Sequence, residues 1–211
     1  MSVLAHDLRN PLATARMSSE ILLKLSDNEI LTRHSSIIKS SSYRMESMIQ
    51  NILDFARCQM DMGLELQKKK ISDGLEEVLE QVIKEARIVS PERIIKLDLA
   101  MVTPVTCDVS RIGQLLSNLL GNAEAQAINE TPIKIEVNSR NGEFTLAVSY
   151  IGNRISDSDL EKIFDPFHLE DEARKKGVGL GLFIASEIAK AHGGSIEVQS
   201  TRKKTSFVFR M

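Results

Sequence analysis

The sequence predicts an α+β protein in which a helical hairpin precedes an α/β sandwich. Up to about residue 62, apolar residues recur at the three- to four-residue spacing of amphipathic helices. Beyond the polar stretch LQKKKISDG, the pattern changes to helices alternating with short strands. Because most of these strands are joined by short turns, they favour a sandwich over a parallel α/β fold. We therefore expect two domains, at residues 1–66 and 67–211.

The N-terminal domain is predicted to consist of two long helices. The stretch LSDNE interrupts the helical pattern near residues 26–29. In the second helix, Ile38, Met45 and Ile52 lie seven residues apart, and Met48 falls between two of them, which is the spacing of a heptad seam. A hairpin of two amphipathic helices cannot cover its own apolar stripe. We therefore expect a homodimer whose two hairpins form a four-helix bundle.

The C-terminal domain shows start and stop signals for most of its elements. Ser72 or Asp73 is expected to cap its first helix, and Asp108 its second. Two strands of alternating apolar and polar residues flank Asn141 and Gly142, a pair that is typical of a β-hairpin turn. The remaining predicted elements are the strand RIIKLDL, the helix GLFIASEIAKAH and the strands SIEVQS and TSFVFR.

Composition and charge exclude several classes of function. The formal net charge of −2 gives no bulk attraction to nucleic acid or to an anionic membrane. No apolar run approaches the ~18 residues of a membrane span, and no signal peptide is visible. Cys58 and Cys107 lie far apart without a partner motif, as in a reduced cytoplasmic protein. We expect a cytoplasmic chain without direct membrane contact, preceded by an upstream sensory or membrane-attached region, because only five residues precede His6.

The stretch VLAHDLRNPLATA combines groups that suit phosphoryl transfer. On a helix, His6 and Asn10 lie one turn apart on the same face, and Asp7 is adjacent. A neutral imidazole is a good nucleophile toward phosphorus, and a neighbouring carboxylate can take its second proton. Pro11 costs a helix interior about 3 kcal/mol and leaves the carbonyl of Asp7 without its helical donor, so the helix can bend beside His6.

The order of motifs along the chain resembles that of the sensor histidine kinases. HDLRNPL resembles the phosphoacceptor box of that family, and NLLGNA resembles its asparagine box. YIGNRI is similar to a degenerate first glycine box, IFDPF to the phenylalanine box and GVGLGLFIA to the second glycine box. Each glycine cluster alone would be a weak signal, but five motifs in the family's order are specific. The resemblance spans essentially the whole chain and implies a dimeric histidine-phosphotransfer hairpin followed by an ATP-binding sandwich of the histidine kinase/gyrase type.

The resemblance also implies a role for each matching residue. His6 would be the phosphoacceptor, Asp7 the general base, and Asn10 the residue that orients water when the domain dephosphorylates its partner, a response-regulator receiver domain. The implied cofactors are ATP and Mg²⁺; Asn122 would bind the metal, and Asn118 would face the same pocket from one turn earlier. Backbone amides of the second glycine box would approach the phosphates. The other positions implied at the nucleotide site are Tyr150, Gly152, Arg174, Lys176, Gly177, Gly179, Gly181 and Thr205.

The sequence departs from the family pattern on the side of the nucleotide base. Tyr150 stands where the family has the aspartate or asparagine that recognises the adenine amino group, and Arg154 replaces the second glycine of that box. Ala125 replaces a frequent lysine, and Lys204 replaces the glycine that opens the last strand. Tyr150 shares its side of the strand with three apolar residues, so its ring should point inward. We therefore expect weak and poorly base-selective nucleotide binding.

Two functional interpretations follow from these patterns. The first is an ATP-dependent protein histidine kinase that acts as a homodimer and passes its phosphate to a response-regulator aspartate. The alternative is a catalytically impaired dimeric phosphotransfer or scaffold protein, and Tyr150 is the residue that separates the two. A hydrolytic ATPase of the gyrase and chaperone group is disfavoured. Those enzymes carry a glutamate where Asn118 stands, and an amide cannot accept a proton from water.

The other three histidines receive no chemical role and no metal. His34 follows the hairpin loop, and His168 begins the polar stretch HLEDEARKK, which is interpreted as a lid over the nucleotide. His192 ends a helix, where its positive form would interact favourably with the helix dipole.

Overall fold

A computed structural model describes residues 2–25, 28–60, 62–71, 73–168 and 179–211, and it leaves the side chains of residues 2–11, 25 and 29 outside that description. The helices are α1 (Ser2–Leu25), α2 (Glu29–Gln59), α3 (Leu75–Val89), α4 (Val109–Gln126), α5 (Asp157–Leu160) and α6 (Gly181–Ala191). The strands are β1 (Lys69–Ile71), β2 (Ile95–Met101), β3 (Val105–Cys107), β4 (Ile133–Arg140), β5 (Glu143–Tyr150), β6 (Ser195–Ser200) and β7 (Thr205–Arg210). The α+β fold class is confirmed.

The helices α1 and α2 form the predicted antiparallel hairpin. Asn28 caps α2, because its side-chain oxygen accepts the backbone N–H groups of the two residues that follow Glu29. Ion pairs cross the hairpin: Arg16 lies 2.7 Å from Glu46, and Lys39 lies 3.0 Å from Glu20. Within the ranges described, no helix has both the length and the apolar character needed to cross a bilayer.

The heptad seam of α2 lies on an uncovered face of the hairpin. The side chains of Ile38, Met45 and Ile52 are 43%, 44% and 48% exposed. Apolar residues of α1 are uncovered as well, since Met17 and Ile21 are 64% and 50% exposed. The single chain therefore leaves an apolar face along the hairpin, as the periodicity predicts.

The C-terminal domain is built on a five-stranded sheet with the order β2-β4-β5-β7-β6. The strands β2 and β4 run parallel, and the other neighbours are antiparallel. The predicted hairpin of β4 and β5 turns at Asn141 and Gly142, whose φ angles of 55° and 84° are those that a two-residue hairpin turn requires. A separate two-stranded sheet of β1 and β3, which the sequence pattern did not predict, lies outside this sheet.

One face of the sheet packs against α3, α4 and α6 to form the core. The helices bury the apolar residues that recur on one side of each of them. Tyr150 lies on the buried face of the sheet and is 2% exposed, so the expectation of an inward ring is confirmed. The sheet contributes Ile133, Ile135, Val137, Phe144, Leu146, Val148, Tyr150, Phe207 and Phe209 to this core.

The two predicted helix caps of this domain have different outcomes. Asp108 caps α4 as expected, since its Oδ1 accepts the backbone N–H of Arg111 at 3.1 Å. The cap expected at Ser72 or Asp73 is wrong. Gly74 occupies the N-cap of α3 with a φ of 89° and makes no side-chain cap hydrogen bond. A left-handed residue at this point turns the chain into the helix, a conformation that glycine adopts without strain.

His192 differs from its predicted role as a protonated helix end. The residue does cap α6, but it is only 8% exposed. Its Nε2 accepts the backbone N–H of Asp108 at 3.1 Å, and its Nδ1 lies 2.8 Å from the carbonyl of Ile188. Burial, reinforced by Lys68 and Arg111, lowers the pKa of His192 despite the opposing effects of Ile188 and Asp108. The imidazole is therefore neutral in the folded protein.

This buried imidazole gives an expected pH dependence of stability. Because the pKa of His192 is lower in the folded chain than in the unfolded chain, the unfolded chain takes up a proton first as the pH falls. The free energy of unfolding should therefore decrease as the pH drops below about 6.5. Chemical denaturation of the parent chain and of His192→Gln, at a series of pH values, measures this effect. A slope in this range that is as steep in His192→Gln as in the parent would contradict it.

Candidate functional site

A cavity of about 1210 Å³ lies between α2 and the helices α3 and α4. Asn118 and Asn122, one turn apart on α4, both line it. Gly179 and Gly181, which come from the predicted second glycine box, line the same cavity. The structure thus brings together predicted site residues that lie about sixty positions apart in the sequence.

The first turn of α6 lies directly against Asn118. A Cβ atom added at Gly181 would lie 3.4 Å from Asn118 Oδ1, so the absence of a side chain there permits this close approach. The first turn of an eleven-residue helix carries backbone N–H groups without helical acceptors and the positive end of the helix dipole. Together with the side-chain amides of Asn118 and Asn122 on α4, this end of α6 can bind an anion such as a phosphate group.

The predicted lid joins the fold at a hydrogen-bonded base. The backbone N–H of Phe167 donates to the carbonyl of Gly179 at 2.9 Å. His168 lines the cavity, and its Nε2 lies 3.5 Å from Asp159 Oδ1. Three predicted phosphate-binding residues, Arg174, Lys176 and Gly177, lie outside the described residues.

Tyr150, Gly152 and Thr205 do not line the cavity that holds the asparagines. Tyr150 ends β5 and pairs in register with Thr205 of β7. Thr205 is fully buried, and its Oγ1 lies 2.7 Å from Ser200 Oγ. Tyr150 and Thr205, two of the residues implied on the base side of the nucleotide, are therefore packed into the interior.

Gly152 is fixed by close packing at the end of α4. A Cβ atom there would lie 2.5 Å from the carbonyl oxygen of Gln126 and 3.0 Å from the Tyr150 ring. Gly152 also forms an isolated β-bridge with Ala127, and the N–H of Ile128 donates to the carbonyl of Ile151 at 2.9 Å. A glycine is therefore required here by packing, whatever else it contacts.

The three predicted catalytic residues lie within the backbone of α1. His6, Asp7 and Asn10 fall between Ser2 and Leu25, so the helix on which their relative placement depends is present. Their side chains lie outside the described residues. The shared helical face of His6 and Asn10 therefore follows from the helix period and stays a prediction.

A polar cluster between α2 and α4 was not predicted from the sequence. Asp54 of α2 is fully buried, and its Oδ2 accepts hydrogen bonds from Arg111 at 2.7 Å and from Gln114 at 2.8 Å. The Asn51 amide donates to Asn118 Oδ1 at 2.9 Å. These residues recur three or four positions apart on each helix, a spacing that marks one face, but nothing in the sequence indicates that the two faces meet.

An aromatic group extends the contact between α2 and the C-terminal domain. The ring centroid of Phe55 lies 5.1 Å from that of Phe167, at the base of the lid, in an edge-to-face arrangement. It lies 5.6 Å from that of Phe183 in α6. The helix α2 therefore contacts both the lid base and α6.

The residues of the cavity suit a metal ion that is held chiefly by a nucleotide. Within the described ranges, no three His, Cys, Asp or Glu side chains are grouped so that they could hold a metal by themselves. The amides of Asn118 and Asn122 offer hard oxygen ligands, which Mg²⁺ accepts alongside phosphate oxygens and water. The donor set therefore fits magnesium bound together with phosphate groups.

Two family models match this chain in succession. Residues 1–60 match the His Kinase A (phospho-acceptor) domain. Residues 107–211 match the histidine kinase-, DNA gyrase B- and HSP90-like ATPase. The first match covers α1 and α2, and the second contains α4, α6 and the main part of the sheet.

Individual relatives match nearly the full chain. A bacteriophytochrome of Pseudomonas aeruginosa is 30% identical over an alignment of 216 positions, which covers 100% of this chain and 29% of that protein. The probable sensor histidine kinase TcrY of Mycobacterium tuberculosis is 28% identical, over 98% of this chain and 44% of that protein. Full-length ShkA, solved in complex with AMPPNP, has a TM-score of 0.67 at 22% identity, over 99% of this chain and 44% of that chain. The chain thus spans less than half the length of each of these proteins.

Proposed function

Because this chain belongs to the sensor histidine kinases of two-component systems, we propose that it is the cytoplasmic kinase core of such a protein. Residues 1–66 would form the dimerisation and phosphotransfer domain, and residues 67–211 the ATP-binding domain. The main support is the cavity in which Asn118 and Asn122 meet Gly179 and Gly181 beside α2. The proposed substrate is ATP, and the proposed partner is a response-regulator receiver domain.

The proposed reaction takes place at His6. An imidazole nitrogen of His6 attacks the γ-phosphorus of ATP, a P–N bond forms, and the bond to the oxygen of ADP breaks. The attacking ring gains positive charge, and Asp7 accepts the proton of its other nitrogen. A receiver-domain aspartate then takes the phosphoryl group from His6. When the chain instead dephosphorylates its partner, Asn10 orients the water molecule that removes the phosphoryl group from the receiver domain.

The C-terminal domain would position the nucleotide phosphates. Asn118 and Asn122 offer oxygen ligands to Mg²⁺, and the first turn of α6 offers backbone N–H groups to a phosphate. The metal, when bound, neutralises charge on the phosphate oxygens. Arg174, Lys176 and Gly177 are proposed to complete this phosphate side, and Tyr150, Gly152 and Thr205 the side of the base.

The burial of Tyr150 favours a second candidate function. Its ring is 2% exposed and packs into the core where the family has the carboxylate or amide that recognises adenine. A chain of this kind could bind nucleotide too weakly to act as an efficient kinase. It would then be a dimeric phosphotransfer or scaffold protein that gains or loses phosphate through His6.

Incubation with γ-labelled ATP and magnesium separates the two functions. A kinase core should incorporate label that is lost in acid and kept in base, since a P–N bond is acid-labile. Addition of a receiver domain should then move the label. A dimeric chain that takes up no label at millimolar ATP, but exchanges phosphate with a phosphorylated receiver domain, would support the scaffold function instead.

The uncovered seam of the hairpin predicts a homodimer. Met45→Glu places a charge in the centre of the apolar stripe, and we expect it to raise the dimer dissociation constant by at least about tenfold. Sedimentation equilibrium of the parent and variant measures this constant. Gln59→Glu, at an exposed position of the same helix, is the matched control and should leave the constant unchanged. A parent chain that stays monomeric at micromolar concentration would contradict the dimer.

The neighbours of His6 are expected to separate two activities. Asp7→Asn removes the proposed base, and it should slow autophosphorylation by about a hundredfold or more. Asn10→Ala removes only the proposed water-orienting amide, so it should impair dephosphorylation of the receiver and leave autophosphorylation within about threefold of the parent. The rate at which the chain gains label measures autophosphorylation, and the rate at which the receiver domain loses label measures dephosphorylation. Equal losses in both assays for both variants would contradict this division of roles.

A further inference from the structure

The side chain of Asn118 is already bound by the hairpin. Asn51 Nδ2 donates to Asn118 Oδ1 at 2.9 Å, and Asn118 Nδ2 lies 3.4 Å from Asn51 Oδ1, so the two amides form a reciprocal pair. Asn118 Oδ1 is the same oxygen that would face a metal-bound nucleotide. The amide of Asn51 and a bound nucleotide therefore cannot both use Asn118 in its present position.

The Asn51–Asn118 pair belongs to a larger polar contact. Asp54 Oδ2 accepts hydrogen bonds from the side chains of Arg111, Gln114 and Gln50, at distances between 2.7 and 2.9 Å. Its other oxygen has no hydrogen-bond partner within the described part of the chain, although Asp54 is fully buried. A buried carboxylate oxygen of this kind would gain a water partner if α2 and α4 separated.

The chemistry of this contact indicates a reversible interface. A buried ion pair adds little net stability compared with apolar side chains of the same size, because both charges lose their hydration. Interfaces between domains that move relative to each other are more polar than permanent ones. Asp54 belongs to α2 and Arg111 to α4. Water can solvate both charged side chains when the two helices separate.

We infer that Asn51 and Asp54 of α2 form a latch that binds α4 in competition with magnesium-bound nucleotide at Asn118. The inference rests on the proposed function, because it takes Asn118 to be part of the nucleotide site. Nucleotide binding then favours release of α2, and contacts that hold α2 weaken nucleotide binding by the same factor. Since Phe55 of α2 also contacts Phe167 and Phe183, release would free the lid base and α6 at the same time.

Removal of the competing amide should strengthen nucleotide binding. In Asn51→Ala, Asn118 loses up to two hydrogen bonds to the hairpin, and we expect AMPPNP with Mg²⁺ to bind about three- to tenfold more tightly than in the parent. Isothermal titration calorimetry of the full chain measures both dissociation constants. Gln59→Ala, an exposed position of the same helix, should bind AMPPNP as the parent does.

Cys58 provides a direct measure of latch opening. This residue is half-buried on α2, and its pKa is raised by burial and by the charges of Glu187 and Asp54. Cys107 is fully buried, and burial raises the pKa of its thiol to about 11, so it reports on global unfolding. Maleimide labelling, read at each cysteine by mass spectrometry, should be faster at Cys58 in Asn51→Ala and in the parent saturated with AMPPNP. Labelling of Cys107 should remain slow in both.

The outcomes distinguish the latch from the proposed function. Tighter AMPPNP binding by Asn51→Ala together with faster Cys58 labelling supports the latch. If parent and variant bind AMPPNP equally, or if saturating AMPPNP leaves the Cys58 rate unchanged, the latch is wrong and the nucleotide site stands. If neither protein binds AMPPNP with Mg²⁺, the proposed nucleotide site is wrong, and the latch is rejected with it.

Discussion

Replacement of His6 by glutamine is expected to abolish acid-labile phosphorylation of the chain. An amide nitrogen is not a nucleophile at neutral pH, so the variant has no group at that position to form a P–N bond. The effect should be at least about a thousandfold on the rate of label incorporation, because the nucleophile itself is removed. The measurement is the acid-labile fraction of label from γ-labelled ATP.

The other histidines supply the control for this experiment. His34 is exposed on α2, and His34→Gln should keep the label of the parent. His192 is buried and already uses both ring nitrogens in contacts with the backbone. Acid-labile label that persists in His6→Gln would show that a different side chain is the acceptor.

Substitution of Tyr150 by aspartate is expected to tighten ATP binding by about ten- to a hundredfold. The family uses a carboxylate or amide at this position to accept a hydrogen bond from the adenine amino group, and hydrogen bonds to charged groups contribute roughly 1.5–3 kcal/mol. The buried tyrosine carries no carboxylate or amide, and its hydroxyl or ring face can recover only part of that interaction. Calorimetric titration with ATP and with GTP, in magnesium, measures both affinity and base selectivity.

Two controls separate base recognition from a general loosening of the core. Tyr150→Phe keeps the ring and should leave ATP affinity within about threefold of the parent, because it adds no carboxylate. Thermal denaturation of each variant tests whether the core tolerates the change. Tight and strongly ATP-selective binding by the unmodified chain would show that another group recognises the base.

Much of the fold is predictable because its signals are local. The hairpin of β4 and β5 follows from strict alternation on either side of Asn141 and Gly142, and the cap of α4 follows from Asp108. The strands β1 and β3 were missed because each has three residues, too few to show an alternation. The neutral state of His192 is not predictable from local sequence, because the backbone N–H that its Nε2 accepts belongs to Asp108, which lies 84 positions away.

The residues of the candidate site are likewise predictable only where their signals are local. The asparagines of α4 and the glycines at the start of α6 can be placed together from their motifs, and the structure brings them to one cavity. The contact of Asp54 with Arg111 could not be predicted, because its partners are 57 positions apart and no periodic pattern pairs the two helix faces. Burial of an acid on an otherwise amphipathic helix becomes visible only when the second domain is in place.

The hydrogen bond between Phe167 and Gly179 has a practical consequence for protein engineering. It holds the two ends of the intervening segment together independently of what that segment contains. Loop closure is weakly sensitive to length, so that doubling a flexible loop costs only about 0.6 kcal/mol. A peptide inserted between these two residues should therefore leave the sheet and its helices intact while it interrupts the proposed phosphate-binding residues, so that folding and nucleotide binding can be altered separately.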